Sequence, residues 1–169
     1  MMGRLRAAGT LSTVAMVAMA WLLPGTAHAS ELHIKEAEQG KCLDIVGDSP
    51  NDGAPLQRFT CKASENQLWD PIQVRSRVWL LRNPHTGRCV TAESGAFGAA
   101  VVMHPCDGNN LAQQWIASGT FGLGGGGNTL QSGLQFQNCL DTFSNLVKVF
   151  TCTSSGDRLN LAQIWAVVN

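Results

Sequence analysis

From residue 30 onward, apolar and polar residues follow one another in short runs, with no sustained helical period. The segments Leu32–Ala37, Leu43–Val46, Leu56–Cys61, Val78–Arg82, Val101–Cys106, Leu134–Phe136 and Val147–Cys152 alternate or are almost wholly apolar. Clusters of Gly, Asn, Asp and Pro separate them, as in Gly47-Asp48-Ser49-Pro50-Asn51-Asp52-Gly53. Successive side chains of a strand point to opposite faces, so short runs of this kind between turn signals predict strands. The expectation is an all-β fold. Within Leu56–Cys61, Gln57 and Phe59 share one face while Leu56 and Thr60 share the other, which turns Phe59 outward.

The segment before residue 30 has a different character. Arg4 and Arg6 precede an apolar run that is densest from Val14 to Leu23; Pro24 and Gly25 end it, and Ala27-His28-Ala29 offers a small-x-small cleavage pattern. The run is short for a membrane span and no stop-transfer stretch follows, so residues 1–29 read as an export signal and the mature chain is expected to begin near Ser30. About 140 residues then remain, enough for one independent core.

Those residues contain one unit three times. Gly40-Lys41-Cys42-Leu43-Asp44 is echoed by Gly87-Arg88-Cys89-Val90-Thr91 and by Gln137-Asn138-Cys139-Leu140-Asp141. The strands ending at Cys61, Cys106 and Cys152 correspond, and each unit closes with Gln-x-Trp: Gln67-Leu68-Trp69, Gln113-Gln114-Trp115 and Gln163-Ile164-Trp165. The units span about residues 30–70, 71–117 and 118–169.

Composition sharpens this picture. All six cysteines lie after residue 30, and none is spaced closely enough for a C-x-x-C zinc pair. An exported chain with an even cysteine count suggests disulfides. Spacing alone leaves their pairing open; the repeat selects Cys42–Cys61, Cys89–Cys106 and Cys139–Cys152, each bridge worth roughly 3 kcal/mol on chain-entropy arithmetic. Only 14% of the chain is charged, and with Arg4 and Arg6 set aside the acidic residues exceed the basic ones by two, scattered without a basic stripe. That pattern excludes electrostatic capture of nucleic acid or insertion into a membrane as the main activity.

About four short strands per unit give about twelve in all. A propeller needs at least ~4 blades, whereas a closed three-lobed barrel uses three. Each repeat Trp should be a core anchor, burying ~150–250 Å². The Gln two positions earlier shares its strand face and could satisfy backbone groups or line a site.

Three C-[LV]-[DT] starts, a ring residue two before each second Cys and three Gln-x-Trp ends resemble the ricin-type lectin domain across Ser30 to Asn169. The resemblance implies a β-trefoil, with each disulfide inside its own repeat, that binds sugars through up to three shallow sites. It places the first repeat's site on Asp44, Gln57, Phe59, Asn66 and Gln67: a carboxylate to accept from sugar hydroxyls, an aromatic platform for the apolar face of a pyranose, and side-chain amides to complete a polar ring. A possible second site in the third repeat comprises Asp141, Phe150 and Gln163, with Lys148 in place of the first repeat's Gln57 and Ala162 in place of its Asn66. In the second repeat Thr91 and Ala112 replace the acid and the amide, so His104 is expected to be structural. Arg58 stands where the other repeats have Met103 and Val149, and its head is expected to snorkel to solvent.

Other signals carry no chemistry. Gly124–Gly127 lacks the Gly-Lys-Ser/Thr of a phosphate cradle and reads as a flexible loop. His33, His85 and His104 lack ligand spacing, and no metal or cofactor is expected. Glu36–Glu38 and Asp48–Asp52 read as solvated strand faces and turns. A glycosidase needs two carboxylates about one bond, and Asp44 and Asp141 belong to different repeats. The reading is a secreted, non-catalytic lectin for galactoside- or xylan-like glycans or polysaccharides. The alternative is a trefoil that has lost its sugar sites and serves as a protein-binding scaffold or inhibitor.

Overall fold

A computed structural model of the chain describes residues 32–153 and 158–169. The predicted export segment and its cleavage point near Ser30 lie outside the described residues. Twelve strands appear among those that are described, together with short 3-10 turns. The first lobe holds β1 (His33–Glu36), β2 (Cys42–Ile45), β3 (Ala54–Phe59) and β4 (Asp70–Arg75). The second holds β5 (Val78–Arg82), β6 (Arg88–Ala92), β7 (Val101–Pro105) and β8 (Trp115–Ala117). The third holds β9 (Asn128–Ser132), β10 (Asn138–Asp141), β11 (Lys148–Thr151) and β12 (Ile164–Val168).

The first and last strands of the lobes close a six-stranded barrel. Antiparallel pairing joins β4 to β5, β5 to β8, β8 to β9, β9 to β12 and β12 to β1. A single bridge between Leu32 and Trp69, at the leading ends of β1 and β4, completes the circuit. A closed barrel leaves no sheet edge within the ring. The remaining strands form one hairpin per lobe: β2–β3, β6–β7 and β10–β11. The hairpins join one another around the pseudo-threefold axis through Ala54 opposite Met103, Gln57 opposite Leu146 and Ala100 opposite Lys148.

This symmetry gives the repeat its physical meaning. Trp69, Trp115 and Trp165 are wholly buried. Each indole N–H donates to a carbonyl of its own lobe's second strand, Leu43, Val90 or Leu140, at 3.0 Å. The bulk of each indole therefore fills the core without orphaning its one polar atom. Bridges join Cys42 to Cys61, Cys89 to Cys106 and Cys139 to Cys152, with a Cα separation of 5.0 Å in each. Each bridge staples the foot of its hairpin.

The structure corrects four expectations. Leu134–Phe136 is no strand but the turn joining β9 to β10, with Leu134 and Phe136 exposed. The strand lies earlier, at Asn128–Ser132, and escapes hydrophobic patterning because two of its inward residues, Asn128 and Ser132, are polar. The glycine run before it is anchored rather than free: the Asn128 amide donates to the carbonyls of Thr120 and Gly126 at 2.7 and 2.8 Å. Glu36 is not on a solvated face. It is 1% exposed and accepts from the backbone N–H groups of Glu38, Gln39 and Lys41, closing the β1–β2 turn.

Arg58 does not snorkel. It points inward with Leu56 and is buried, because strand alternation puts it on the core face that Phe59 leaves. Its guanidinium is matched instead, donating to the Glu38 carboxylate, to the side-chain oxygen of Asn145 at 3.2 Å and to the Thr142 hydroxyl at 3.3 Å. The Glu38 partner is 44% exposed, so the pair itself contributes little, while the buried stem of Arg58 fills space that Met103 and Val149 fill at the equivalent positions. Arg58→Met is therefore expected to lie within about 1 kcal/mol of wild type, while Arg58→Ala loses about 2 kcal/mol or more to the cavity it leaves. Urea denaturation of the two variants checks the difference.

Candidate functional site

In the first lobe, β2 carries Leu43 and Ile45 into the core and turns Asp44 to the other side of the sheet, where neighbouring side chains cover it. Asp44 is 1% exposed. Its Oδ1 accepts from the Gln57 amide at 2.8 Å, and Gln57 is its cross-strand partner on β3. Its Oδ2 accepts from the Gln67 amide at 2.7 Å and from the Asn66 amide at 3.1 Å. Four of the five residues expected at this site thus form one hydrogen-bonded cluster.

The short 3-10 turn Glu65–Gln67 brings the two later amides to the carboxylate, and each is fixed by backbone bonds of its own. Asn66 donates to the Ile45 carbonyl at 3.0 Å and accepts from the Ser64 hydroxyl at 2.6 Å. Gln67 donates to the Thr60 carbonyl at 3.1 Å and accepts from the Lys62 N–H at 2.8 Å. Gln113 and Gln163 bind backbone groups of their own lobes in the same way, donating to Pro105 and Thr151 and accepting from the N–H groups of Asp107 and Thr153. The repeat glutamine lies on a 3-10 turn rather than on the strand face expected for it; it braces the chain after each second cysteine, and in lobes one and three it also holds the acid.

Phe59 is the fifth residue. Its ring is 46% exposed, two positions along β3 from Gln57 and on the same outward face. Lys62 links ring and acid: its ammonium lies 5.4 Å from the Phe59 centroid and 3.9 Å from Asp44 Oδ2. Sequence reasoning missed Lys62. The equivalent positions are Asp107 and Thr153, so no repeat signal marked it.

The third lobe is more open. Gln163 donates to Asp141 Oδ2 at 2.8 Å, and Lys148 is the cross-strand partner of Asp141. Asp141 is partly exposed, and Ala162 supplies no amide like that of Asn66. Burial raises the Asp141 pKa; the nearby Glu38 charge adds to the rise, and the Gln163 hydrogen bond opposes it. Phe150 meets the ring of Phe97 edge to face, with centroids 4.8 Å apart.

The second lobe holds no acid at the Asp44 position. Thr91 turns its hydroxyl to the Cys89 carbonyl at 2.9 Å. His104 occupies the platform position and binds two carboxylates, Asp52 through Nδ1 and Glu93 through Nε2, both at 2.8 Å. The Glu93 hydrogen bond raises its pKa most, Asp52 adds to it and burial works against both. A folded-state pKa above the unfolded value of 6.5 stabilises the fold fully below that value, and the contribution fades as pH rises through the folded pKa. Thermal unfolding of His104→Gln should therefore show its largest deficit against wild type below pH 6.5, narrowing in alkaline buffer.

A sequence model described as the ricin-type beta-trefoil lectin domain matches residues 30–165. Among solved structures, a designed threefold-symmetric protein is 25% identical with a TM-score of 0.67; the match covers 82% of this chain and 97% of that one. An exo-β-1,3-galactanase from Clostridium thermocellum is 19% identical with a TM-score of 0.67, the match covering 81% of this chain and 29% of the other. A Polyporus squamosus lectin bound to a human-type influenza-binding epitope is 15% identical with a TM-score of 0.65, over 80% of this chain and 47% of that one. The chain thus corresponds to less than half of each of these last two proteins.

Proposed function

This chain belongs to the ricin-type beta-trefoil lectin family, and from that premise we propose that it is a secreted carbohydrate-binding protein without catalytic activity. One observation carries the reading: the Asp44 carboxylate is held by three side-chain amides beside an exposed aromatic ring. A carboxylate accepts from sugar hydroxyls in charge-assisted hydrogen bonds, and amides both donate and accept. The Phe59 face offers an apolar surface for the C–H side of a pyranose. A sugar settling on that face takes the place of the Lys62 ammonium, which is half exposed. Gln57, partly exposed, then shares Asp44 with the ligand. Asp44 serves as an acceptor, since both its oxygens already accept from side-chain amides.

Three disulfides suit an oxidising, extracellular setting. Galactosides and xylan-type polymers are the glycan classes proposed, at the first lobe and, through Asp141, Phe150 and Gln163, at the third. Shallow sites of this kind bind simple sugars at ~0.1–10 mM and gain from engaging one polymer twice.

A glycan and polysaccharide binding screen with the purified protein tests this. The expected result is retention of a galactoside or xylan that weakens in Phe59→Ala. Silence across the panel would sink the reading. A protein-binding scaffold is the second reading. The observation in its favour is that Lys62 already covers the Phe59 platform; a silent panel together with a specific protein partner would establish it.

A further inference from the structure

In each lobe, the segment between second and third strands leans onto the neighbouring lobe's platform strand. From lobe one, Asp52 binds His104 at 2.8 Å. From lobe three, Leu146 bridges Gln57, and Asn145 accepts from Arg58. From lobe two, Phe97 sets its ring edge to face against Phe150, at 4.8 Å and 79°.

Of these three contacts, only the last adds an aromatic ring. Phe97 is 70% exposed, the highest exposure among the described large apolar side chains. It is nevertheless held in place from both sides. The Gly98 N–H donates to Val149 O at 2.8 Å, Val149 N–H donates to Ala99 O at 3.0 Å, and the Asn138 amide donates to Gly95 O at 2.7 Å. Gly98, at φ +76°, makes the turn that returns the chain to β11 after Phe97. A phenyl ring kept in water by a clamped backbone offers a prepared face at little ordering cost.

The acid beside this surface is also the more available of the two. Asp141 is partly exposed, whereas Asp44 is buried with both oxygens taken by amides. We propose that the third-lobe site is composite: Phe97, lent by the second lobe and standing nearly perpendicular to Phe150, adds a second aromatic wall, so that an uncharged oligosaccharide bends across the lobe boundary. One sugar unit sits on Phe150 with its hydroxyls donating to Asp141, and the next unit lies on Phe97. This rests on the carbohydrate-binding reading above and adds a chain-length preference that the first lobe lacks, since Leu146 there supplies no ring.

The test uses the full chain carrying Phe59→Ala, which silences the first platform. Linear β-1,4-xylo-oligosaccharides and β-1,3-galacto-oligosaccharides of increasing length, and their monosaccharides, are titrated calorimetrically. Phe97→Ala is expected to weaken the longer ligands about tenfold, to leave the monosaccharide within about twofold and to leave the unfolding midpoint unchanged. Phe97→Trp should keep the length preference, and Asp141→Asn should weaken ligands of every length. Equal losses for monosaccharide and oligosaccharide in Phe97→Ala would reduce Phe97 to a prop for Phe150 and overturn the proposal. So would no loss at all. If the protein without the Phe59 substitution also binds none of these sugars, the carbohydrate-binding reading for these classes falls first and the composite site with it.

Discussion

Asp44→Ala is expected to cost the fold about 3 kcal/mol as well as first-lobe sugar binding. The carboxylate is 1% exposed and accepts from three amides. Hydrogen bonds to a charged group are worth about 1.5–3 kcal/mol each, and a buried donor left alone costs about 1–3 kcal/mol. The losses do not simply add, because each amide has some recourse. Gln57 reaches water, Asn66 keeps the Ile45 carbonyl, and Gln67 keeps the Thr60 carbonyl. Phe59→Ala is the informative contrast: its ring is already half in solvent, so binding should fall while stability stays within about 0.5 kcal/mol. Urea titrations beside binding assays separate the two effects. An Asp44→Ala protein as stable as wild type would show that the amide ring serves the ligand alone.

The second large effect concerns the three repeat tryptophans. Trp69→Ala, Trp115→Ala and Trp165→Ala should each lose about 3–5 kcal/mol, the range for emptying an aromatic site in a close-packed core. Their losses should agree within about 1 kcal/mol, because each indole is fully buried and makes the same bond to its own lobe's second strand. Trp79, only partly buried against the core, should cost clearly less. Chemical denaturation of the four variants is the measurement. A repeat tryptophan costing no more than Trp79 would mean that the lobes match in geometry but not in energy.

Both predictions bear on how much of this protein is legible from residue order. The cysteine pairs, the Gln-x-Trp endings and the outward turn of Phe59 follow from local pattern, and triplication turns each weak signal into a strong one. They hold because one short unit cannot bury its own apolar face and must meet its copies around an axis. The assembly of Asp44 with Asn66 and Gln67 is likewise an event within one lobe.

What escaped local reading lies where lobes meet or where a single lobe departs from the repeat. Arg58 is held inward by Glu38, Thr142 and Asn145, two of them from the third lobe. Asn128 makes β9 a strand with a polar inner face because its partners lie in the preceding loop. Lys62 lies over the Phe59 ring, and Phe97 from the second lobe packs edge to face with Phe150.

By itself, then, the sequence determined the three lobes, their staples and their core anchors, because periodic side-chain alternation and a repeated motif act within a few residues. Tertiary structure alone decided how buried each acid is, which charge the core holds and which ring crosses a lobe boundary. Those depend on distances between side chains far apart in the chain, and no spacing along it encodes them.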